Sequence, residues 1–430
     1  MQPILDFIRK FIPKDIFRFF QPFYHYALAF VSNLIYGFPA KKLFVIAVTG
    51  TKGKTTTTEI VADILVSAGK KVAVGSTVRF AIGKESRPNL YKMTMPGRFF
   101  FAKFLGEAIA KGATHAVLEA SSEGHILFRD RFFYPDVVVV TGIEPEHIES
   151  HGGYEKYLQA KFGIVSLLKN NGKKNKVLVL NGDDKEAVRF RALDVEETKE
   201  FKLKNAEPLT TSPSGSHFTL FSKKISSPLP GEFNVRNILA AALAAKAAGI
   251  SEDSVVKAVS AFKGVRGRME KVEMGQPFEV VVDYAHTPGS LTSIYKVYEG
   301  RNTICLLSGT GGGRDRWKRK AMGEIADKFC GEIIMTDEDP YDEDPEQIVK
   351  DIREGIKNPR VEVVLDRRAA MRAAFLRART GDAVLITGKG TDPYIMGVKG
   401  KKTPWDDAGV AKEELKKLGY EKALMACPIS

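Results

Sequence analysis

Residues 45–58 read Val-Ile-Ala-Val-Thr-Gly-Thr-Lys-Gly-Lys-Thr-Thr-Thr-Thr. An apolar β-branched run ends in a glycine-rich turn, and a helical pattern follows from Glu59 to Leu65. This is the layout of a phosphate-binding loop. Glycines let backbone N–H groups face phosphate oxygens, and the helix N-terminus adds partial positive charge. Lys54 is placed to reach the terminal phosphates of a nucleotide, and the Thr55 hydroxyl to ligate Mg²⁺. Val48 stands where the general Gly-x-x-x-x-Gly-Lys-[Ser/Thr] pattern has its first glycine. A plain turn between strand and helix would leave the Lys54-Thr55 pair unexplained.

Three further polar groups follow apolar runs. Glu119-Ala120-Ser121-Ser122-Glu123 comes directly after Val117-Leu118, where a carboxylate can share a Mg²⁺ with the loop threonine. The stretch from Thr141 to Gly152 holds Glu146, His147 and His151, two of the chain's 7 histidines. Lys161 lies one helix later and, taken alone, reads as a solvated helix residue.

The elements that must position these groups alternate. Strand candidates are Phe44–Val48, Lys71–Val74, Ala116–Leu118, Val137–Val140 and Lys176–Leu180. Helix candidates are Thr56–Ala68, Arg98–Lys111 and Tyr154–Leu168. Such alternation specifies a parallel sheet covered by helices. Residues 200–230 read as short antiparallel strands, and Asn234 to Ala248 as an Ala-rich helix. A second series starts near Phe278, with strands Phe278–Val282, Thr303–Leu307, Glu332–Met335, Val361–Leu365 and Ala383–Ile386. The expected division is an arm, 1–42, then domains 43–272 and 273–430.

The chain has 430 residues, 27% of them charged, and a net charge of +13. That balance suits a polyanionic ligand or an anionic membrane. Zinc-finger spacing and aromatic–basic RNA signatures are missing, so no nucleic-acid partner is expected. Cys305, Cys330 and Cys427 are odd in number and widely spaced, which points to a reducing compartment and no metal cluster. The first 42 residues are crowded with Phe and Tyr. Arg9, Lys10, Lys14 and Arg18 are interleaved early, and no charged residue occurs from Gln21 to Ala40. A signal peptide fits poorly, and Pro22, Asn33 and Pro39 dilute a membrane span. Two readings of the arm stand side by side: a segment lying in the membrane interface, and one packed on the body or on another subunit.

Read together, the motifs resemble the Mur ligases, ATP-dependent amide-bond synthetases of the bacterial cell wall. They come closest to the branch that adds the third residue of the peptide stem, MurE. Gly50-Thr-Lys-Gly-Lys-Thr55 is similar to that family's Gly-Thr-Asn-Gly-Lys-Thr, and Thr94-Met95-Pro96-Gly97 to its Thr-Thr-Pro-Asp. Glu119-Ala-Ser-Ser122 with Arg129 resembles Glu-Val-Ser-Ser and its arginine. Glu146-His147-Ile-Glu-Ser-His151-Gly152 resembles Asp-His-Leu-Asp-Tyr-His-Gly, with Lys161 following. Gly231-Glu-Phe-Asn234-Val-Arg-Asn237, Gly267-Arg268-Met269-Glu270, Asp283-Tyr-Ala-His286-Thr-Pro288, Gly309 to Asp315, Thr336 to Pro340 and Gly388-Lys389-Gly390 continue the series to the end of the chain.

The resemblance implies a P-loop parallel-sheet ATPase domain followed by a Rossmann-like C-terminal α/β domain. It implies that Gly50, Thr51, Lys52, Gly53, Lys54, Thr55 and Thr56 hold ATP phosphates. Thr55, Glu119, His147 and Lys161 would serve two Mg²⁺ ions, with Lys161 as N6-carboxylysine. Lys54, Glu119, His147 and Lys161 would be catalytic. Asn234, Asn237, Arg268, Asp283 and His286 would contact the nucleotide. Thr94, Met95, Ser122 and Arg129 would bind the muramoyl-peptide acceptor. Arg314, Asp339, Tyr341, Gly388 and Asp392 would handle the incoming amino acid.

Two departures qualify this. The family's UDP-binding first domain is expected to be missing, which leaves a UDP-linked and a lipid-linked acceptor both open. The Asp-Asn-Pro-Arg motif reads Asp339-Pro340-Tyr341 followed by Asp342-Glu343-Asp344, so the carboxylate-gripping arginine is lost and the acidic run suits either a basic amino acid or a solvated loop. The expected location is cytoplasmic, at the inner face of the membrane if the arm binds it. The alternatives are a poly-γ-glutamyl or folate acceptor, and a non-catalytic ATP-binding subunit.

Overall fold

The structure, a computed structural model, describes residues 14–146, 148–169 and 171–421. It divides into two compact units. One holds the described residues up to Pro145 with His151–Phe201 and Ala240–Val255; the other holds Glu146–Ser150, Lys202–Leu239 and the described residues from Val256 on.

The first unit is built on a sheet of β1 (Phe44–Thr49), β2 (Val72–Gly75), β3 (Arg79–Ile82), β4 (Glu85–Pro88), β5 (His115–Glu119), β6 (Val137–Val140), β7 (Val177–Asn181) and β8 (Glu197–Phe201). Their order is β4-β3-β2-β5-β1-β6-β7-β8. All pairings are parallel except those of the β2–β3–β4 edge. β1 is central and almost wholly buried, as its unbroken apolar run requires of a strand covered on both faces. The β3–β4 hairpin gave no sequence signal, because all four residues of β4 are exposed and polar or proline.

The second unit carries a three-stranded antiparallel sheet of β9 (Thr210–Ser212), β10 (Gly215–Leu220) and β11 (Lys223–Ser227). Its larger sheet comprises β12 (Glu270–Lys271), β13 (Glu279–Asp283), β14 (Thr303–Leu307), β15 (Glu332–Met335), β16 (Val361–Val363) and β17 (Ala383–Thr387), in the order β12-β13-β17-β14-β15-β16. Only β12 runs antiparallel. In each large sheet, taken by itself, the C-terminal ends of the parallel strands lie on one side, where open α/β sheets hold ligands.

One contact is absent from the sequence reading of the cysteines. Cys305 on β14 and Cys330, which follows the helix Lys318–Phe329, form a disulfide with Cα atoms 6.0 Å apart. Their wide separation in sequence hid the pairing. Cys305 and Ile333 are register partners on β14 and β15, which brings Cys330 alongside.

The helix Asp407–Lys417 is tied down by charge. Glu414, fully buried, accepts hydrogen bonds from Arg368 at 2.9 Å, Arg372 at 2.6 Å and Lys417 at 2.8 Å. Burial alone would raise its pKa, but Lys417, Arg368 and Arg372 outweigh it and hold the carboxyl down to about 2. A folded pKa below the unfolded value of 4.5 contributes stability that is present above that pH. It is lost as pH falls towards about 2. Glu414→Gln should therefore lower the melting temperature at pH 7 and flatten its fall between pH 4.5 and about 2, measured by circular dichroism.

Candidate functional site

The phosphate-binding loop leaves β1 at Gly50 and enters the helix Lys54–Ser67 through Gly53, whose φ is 80°. The helix starts two residues before the sequence-expected Thr56, so Lys54 and Thr55 stand on its first turn. Gly50 has φ 141°, and a Cβ there would collide with Thr141 Oγ1 and Gly142. The loop is held from outside. Thr51 N donates to Gly142 O at 2.7 Å. Thr51 Oγ1 lies 2.5 Å from the Tyr157 hydroxyl and accepts from Glu144 N at 2.9 Å. Thr141 Oγ1 donates to Lys52 O at 2.5 Å, and Lys52 pairs with Glu144. Lys54 Nζ donates to Gly50 O at 3.0 Å and Thr51 O at 2.9 Å. Thr55 and Thr56 are buried.

Glu119 ends β5, in register with Val48 two residues before Gly50. It is fully buried. Thr77 donates to both of its oxygens, from N at 2.8 Å and from Oγ1 at 2.9 Å. Thr77 Oγ1 also lies 2.9 Å from Thr94 Oγ1, so the carboxylate and the proposed acceptor motif share one threonine. Sequence reading missed Thr77; its one signal is a position just past the end of β2. Lys161, read alone as a solvated residue, is instead 2% exposed. Its Nζ donates to Gly50 O at 2.9 Å and Thr49 Oγ1 at 3.2 Å and lies over the Tyr157 ring. His147 lies outside the described residues.

The residues that the resemblance assigns to the acceptor lie in one patch. Met95 Sδ accepts from Ser121 N at 3.3 Å, Met95 O accepts from Arg129, and Ser122 is buried at the start of the helix Ser122–Ile126. Burial of the Arg129 guanidinium lowers its pKa.

In the second unit, each sequence-expected residue from Asp283 onward closes or follows a parallel strand. Asp283 closes β13; Met269 N and Ala285 N each donate to it at 2.7 Å. Burial raises its pKa against the pull of Arg268. The Arg268 guanidinium stacks 4.5 Å from the Tyr284 ring, whose edge meets His286 with ring centroids 4.7 Å apart. Asn234 and Asn237 share a face of the helix Glu232–Ala247, 3.3 Å apart.

The loops after β14, β15 and β17 interlock. Gly311 N donates to Asp339 O at 2.8 Å. Tyr341, at φ 55°, lies against Gly312, and Arg314 hydrogen-bonds its side chain. Lys389, wholly buried, donates to both Asp339 oxygens at 3.0 Å and to Asp392 at 3.3 Å. A Cβ on Gly388 would come 2.6 Å from Ser308 Oγ and 2.7 Å from the Glu338 carboxylate. The acidic run is structural: Asp342 accepts from Lys399 N at 2.6 Å, Glu343 binds Arg319 at 2.7 and 2.9 Å, and Asp344 caps the helix Pro345–Arg353. It therefore supplies no argument for a basic amino acid.

The site thus defines a P-loop α/β nucleotide-binding unit joined to a Rossmann-like unit. The sequence pattern of the Mur ligase middle domain matches residues 48–245, and that of the Mur ligase glutamate ligase domain matches residues 267–390. A 2,6-diaminopimelate ligase acting on UDP-N-acetylmuramoyl-L-alanyl-D-glutamate, from Bacillus velezensis, is 36% identical over 400 residues, covering 90% of this chain and 81% of the relative. A UDP-N-acetylmuramyl-tripeptide synthetase from Roseiflexus is 34% identical over 430 residues, covering 92% and 82%. A solved UDP-N-acetylmuramoyl-L-alanyl-D-glutamate–2,6-diaminopimelate ligase superposes with a TM-score of 0.60 at 31% identity, covering 88% of this chain and 79% of that one. The chain belongs to the Mur ligase family, and it is an ATP-dependent, ADP-forming ligase.

Proposed function

We propose that the chain adds one amino acid to a muramoyl-dipeptide acceptor in peptidoglycan synthesis, through an acyl phosphate. The acceptor carboxylate attacks the γ-phosphorus of ATP and ADP leaves. The amine then attacks the acyl carbonyl, and phosphate leaves. The observation that supports this is that Glu119 stands in register with Val48, two residues before Gly50, while Lys161 Nζ donates to Gly50 O in the loop that carries Lys54. Lys54 and the N–H groups of residues 50–56 orient the phosphates, and alignment with charge neutralisation is most of what phosphoryl transfer needs.

The donor set fits Mg²⁺. Among the described residues no three His, Cys, Asp or Glu side chains converge. One carboxylate, a threonine hydroxyl, phosphates and water suit a hard cation that dehydrates reluctantly. Thr55 and Glu119 would hold one ion; His147 and Lys161, the latter as its carbamate, would serve a second. Bound Mg²⁺ neutralises phosphate charge. Thr94, Met95, Ser122 and Arg129 bind the acceptor. Asn234, Asn237, Arg268, Asp283 and His286 contact the nucleotide. Arg314, Asp339, Tyr341, Gly388 and Asp392 handle the amino acid. Domains 43–272 and 273–430 divide these tasks. The enzyme works in the cytoplasm, in peripheral contact with the membrane through residues 1–42.

The test is phosphate release with ATP, Mg²⁺ and a panel of amino acids that includes diaminopimelate, on UDP-linked and lipid-linked muramoyl-dipeptide. Release that requires both acceptor and amino acid is expected. ATP hydrolysis indifferent to the acceptor would sink the reading.

A further inference from the structure

The helix Lys14–Ile35 is turned inside out. Its buried stripe is His25, Ala29, Ser32 and Asn33, three of them polar. Ser32 and Asn33 donate back to the Ala29 carbonyl, at 2.8 and 2.9 Å. This stripe faces the helix Arg98–Ala110, sharing a crevice with Arg98, Phe101 and Ala102. Tyr26 and Phe30 brace it from the side, against Phe128 and Phe132. The outward stripe is Phe20, Phe23, Tyr24, Val31, Leu34 and Ile35, each between 41% and 66% exposed. At the helical repeat they fall within an arc of roughly 120°, opposite the buried stripe. A helix on a globular protein ordinarily buries such an arc. A contiguous exposed apolar face of this kind marks an interaction surface.

Charge selects the occupant. No charged residue lies from Gln21 to Ala40, while Lys14 and Arg18 precede that run and Lys41 and Lys42 close it. Asp15 is the one acidic residue between Lys14 and Lys42. A second copy of this chain would set these cations against cations. An anionic lipid surface complements them, and amphipathic aromatic rings favour the headgroup boundary. Among the described residues no helix is long and apolar enough to cross a membrane; an amphipathic helix with an aromatic apolar face and flanking cations suits the interface plane. We propose that the face of Phe20, Phe23, Tyr24, Val31, Leu34 and Ile35 docks on an anionic phospholipid bilayer, with Lys41 and Lys42 at the headgroups. This rests on the membrane contact proposed above and is independent of the ligase reading.

The experiment is co-sedimentation of the full chain with phosphatidylglycerol-containing vesicles and with purely zwitterionic ones, at low and high salt. Phe23→Ser/Leu34→Ser/Ile35→Ser is compared with the parent, and ATP turnover on the soluble UDP-linked acceptor is measured in parallel. Binding at least about tenfold stronger to anionic vesicles, weakened by salt and lost in the triple variant, is expected. Soluble turnover should be unchanged, which shows that the variant folds. Parent protein that stays in the supernatant, or a triple variant that sediments as well as the parent, overturns the proposal. So does a dimer, seen by light scattering without vesicles, that the triple variant abolishes. A parent that turns over neither the UDP-linked nor the lipid-linked acceptor would count against the ligase reading alone.

Discussion

Lys54→Ala is expected to lower acceptor-dependent ADP formation by about 10³-fold or more while leaving the fold in place. The magnitude follows from the chemistry: phosphoryl transfer is dominated by positioning and charge stabilisation, and loss of one cation aimed at the transferring group costs on this scale. The fold is expected to be spared because Lys54 is only partly buried and two of its Nζ bonds are to carbonyls of its own loop, Gly50 and Thr51. Turnover with saturating acceptor and amino acid, set beside the circular-dichroism melting curve, makes the check. A variant that keeps a tenth of parent activity would mean that Lys54 does not face the transferring phosphoryl group. A variant that melts many degrees lower would mean that the loss is structural.

Lys161 shows where sequence reading stops. On a helix its spacing is that of a solvated lysine, and only the packing of the helix Tyr154–Ser166 on the sheet brings its ammonium to Gly50 O. The strands were legible because parallel strands buried on both faces are continuous apolar runs; Val137–Val140, Thr303–Leu307 and Glu332–Met335 have the bounds read from sequence. The phosphate-binding turn was legible because its glycines answer to φ values that side chains avoid. Thr77 was not, because a threonine after a short strand carries no periodic signal, and its role exists only through Glu119.

The acidic run after Pro340 left two readings open for a related reason. Composition invites a ligand, but each carboxylate is spoken for by a residue distant in sequence or by a helix N-terminus. The disulfide is the same case, since pairing depends on which strands are neighbours. Long-range polar pairing is a property of topology, which residue type and spacing report only indirectly.

Arg367 and Asp407 are the strongest example, and Asp407→Ala is expected to destabilise the second unit by about 3–5 kcal/mol. The pair is 1% and 0% exposed at its side chains. Arg367 donates to Asp407 from Nε at 2.8 Å and from Nη2 at 2.7 Å, a bidentate contact. Asp407 also accepts from Trp405 Nε1 at 2.7 Å and from Gly390 N at 3.2 Å, and Arg367 reaches Thr387 O at 2.8 Å. Both ends of Gly388-Lys389-Gly390 are thus fastened to one buried ion pair. Removing the carboxylate alone strands a guanidinium in the core, the costly direction, whereas replacing both partners by apolar side chains of similar volume removes two desolvation penalties together. Arg367→Met/Asp407→Leu should therefore recover most of the lost stability in urea unfolding. It should not recover turnover, because the Gly390 anchor is gone and the loop that carries Asp392 is released. If the double variant regained activity as well as stability, the pair would be packing only. If Asp407→Ala unfolded within about 1 kcal/mol of the parent, below the range for a broken buried pair, the burial of Arg367 would not be carrying the charge cost argued here.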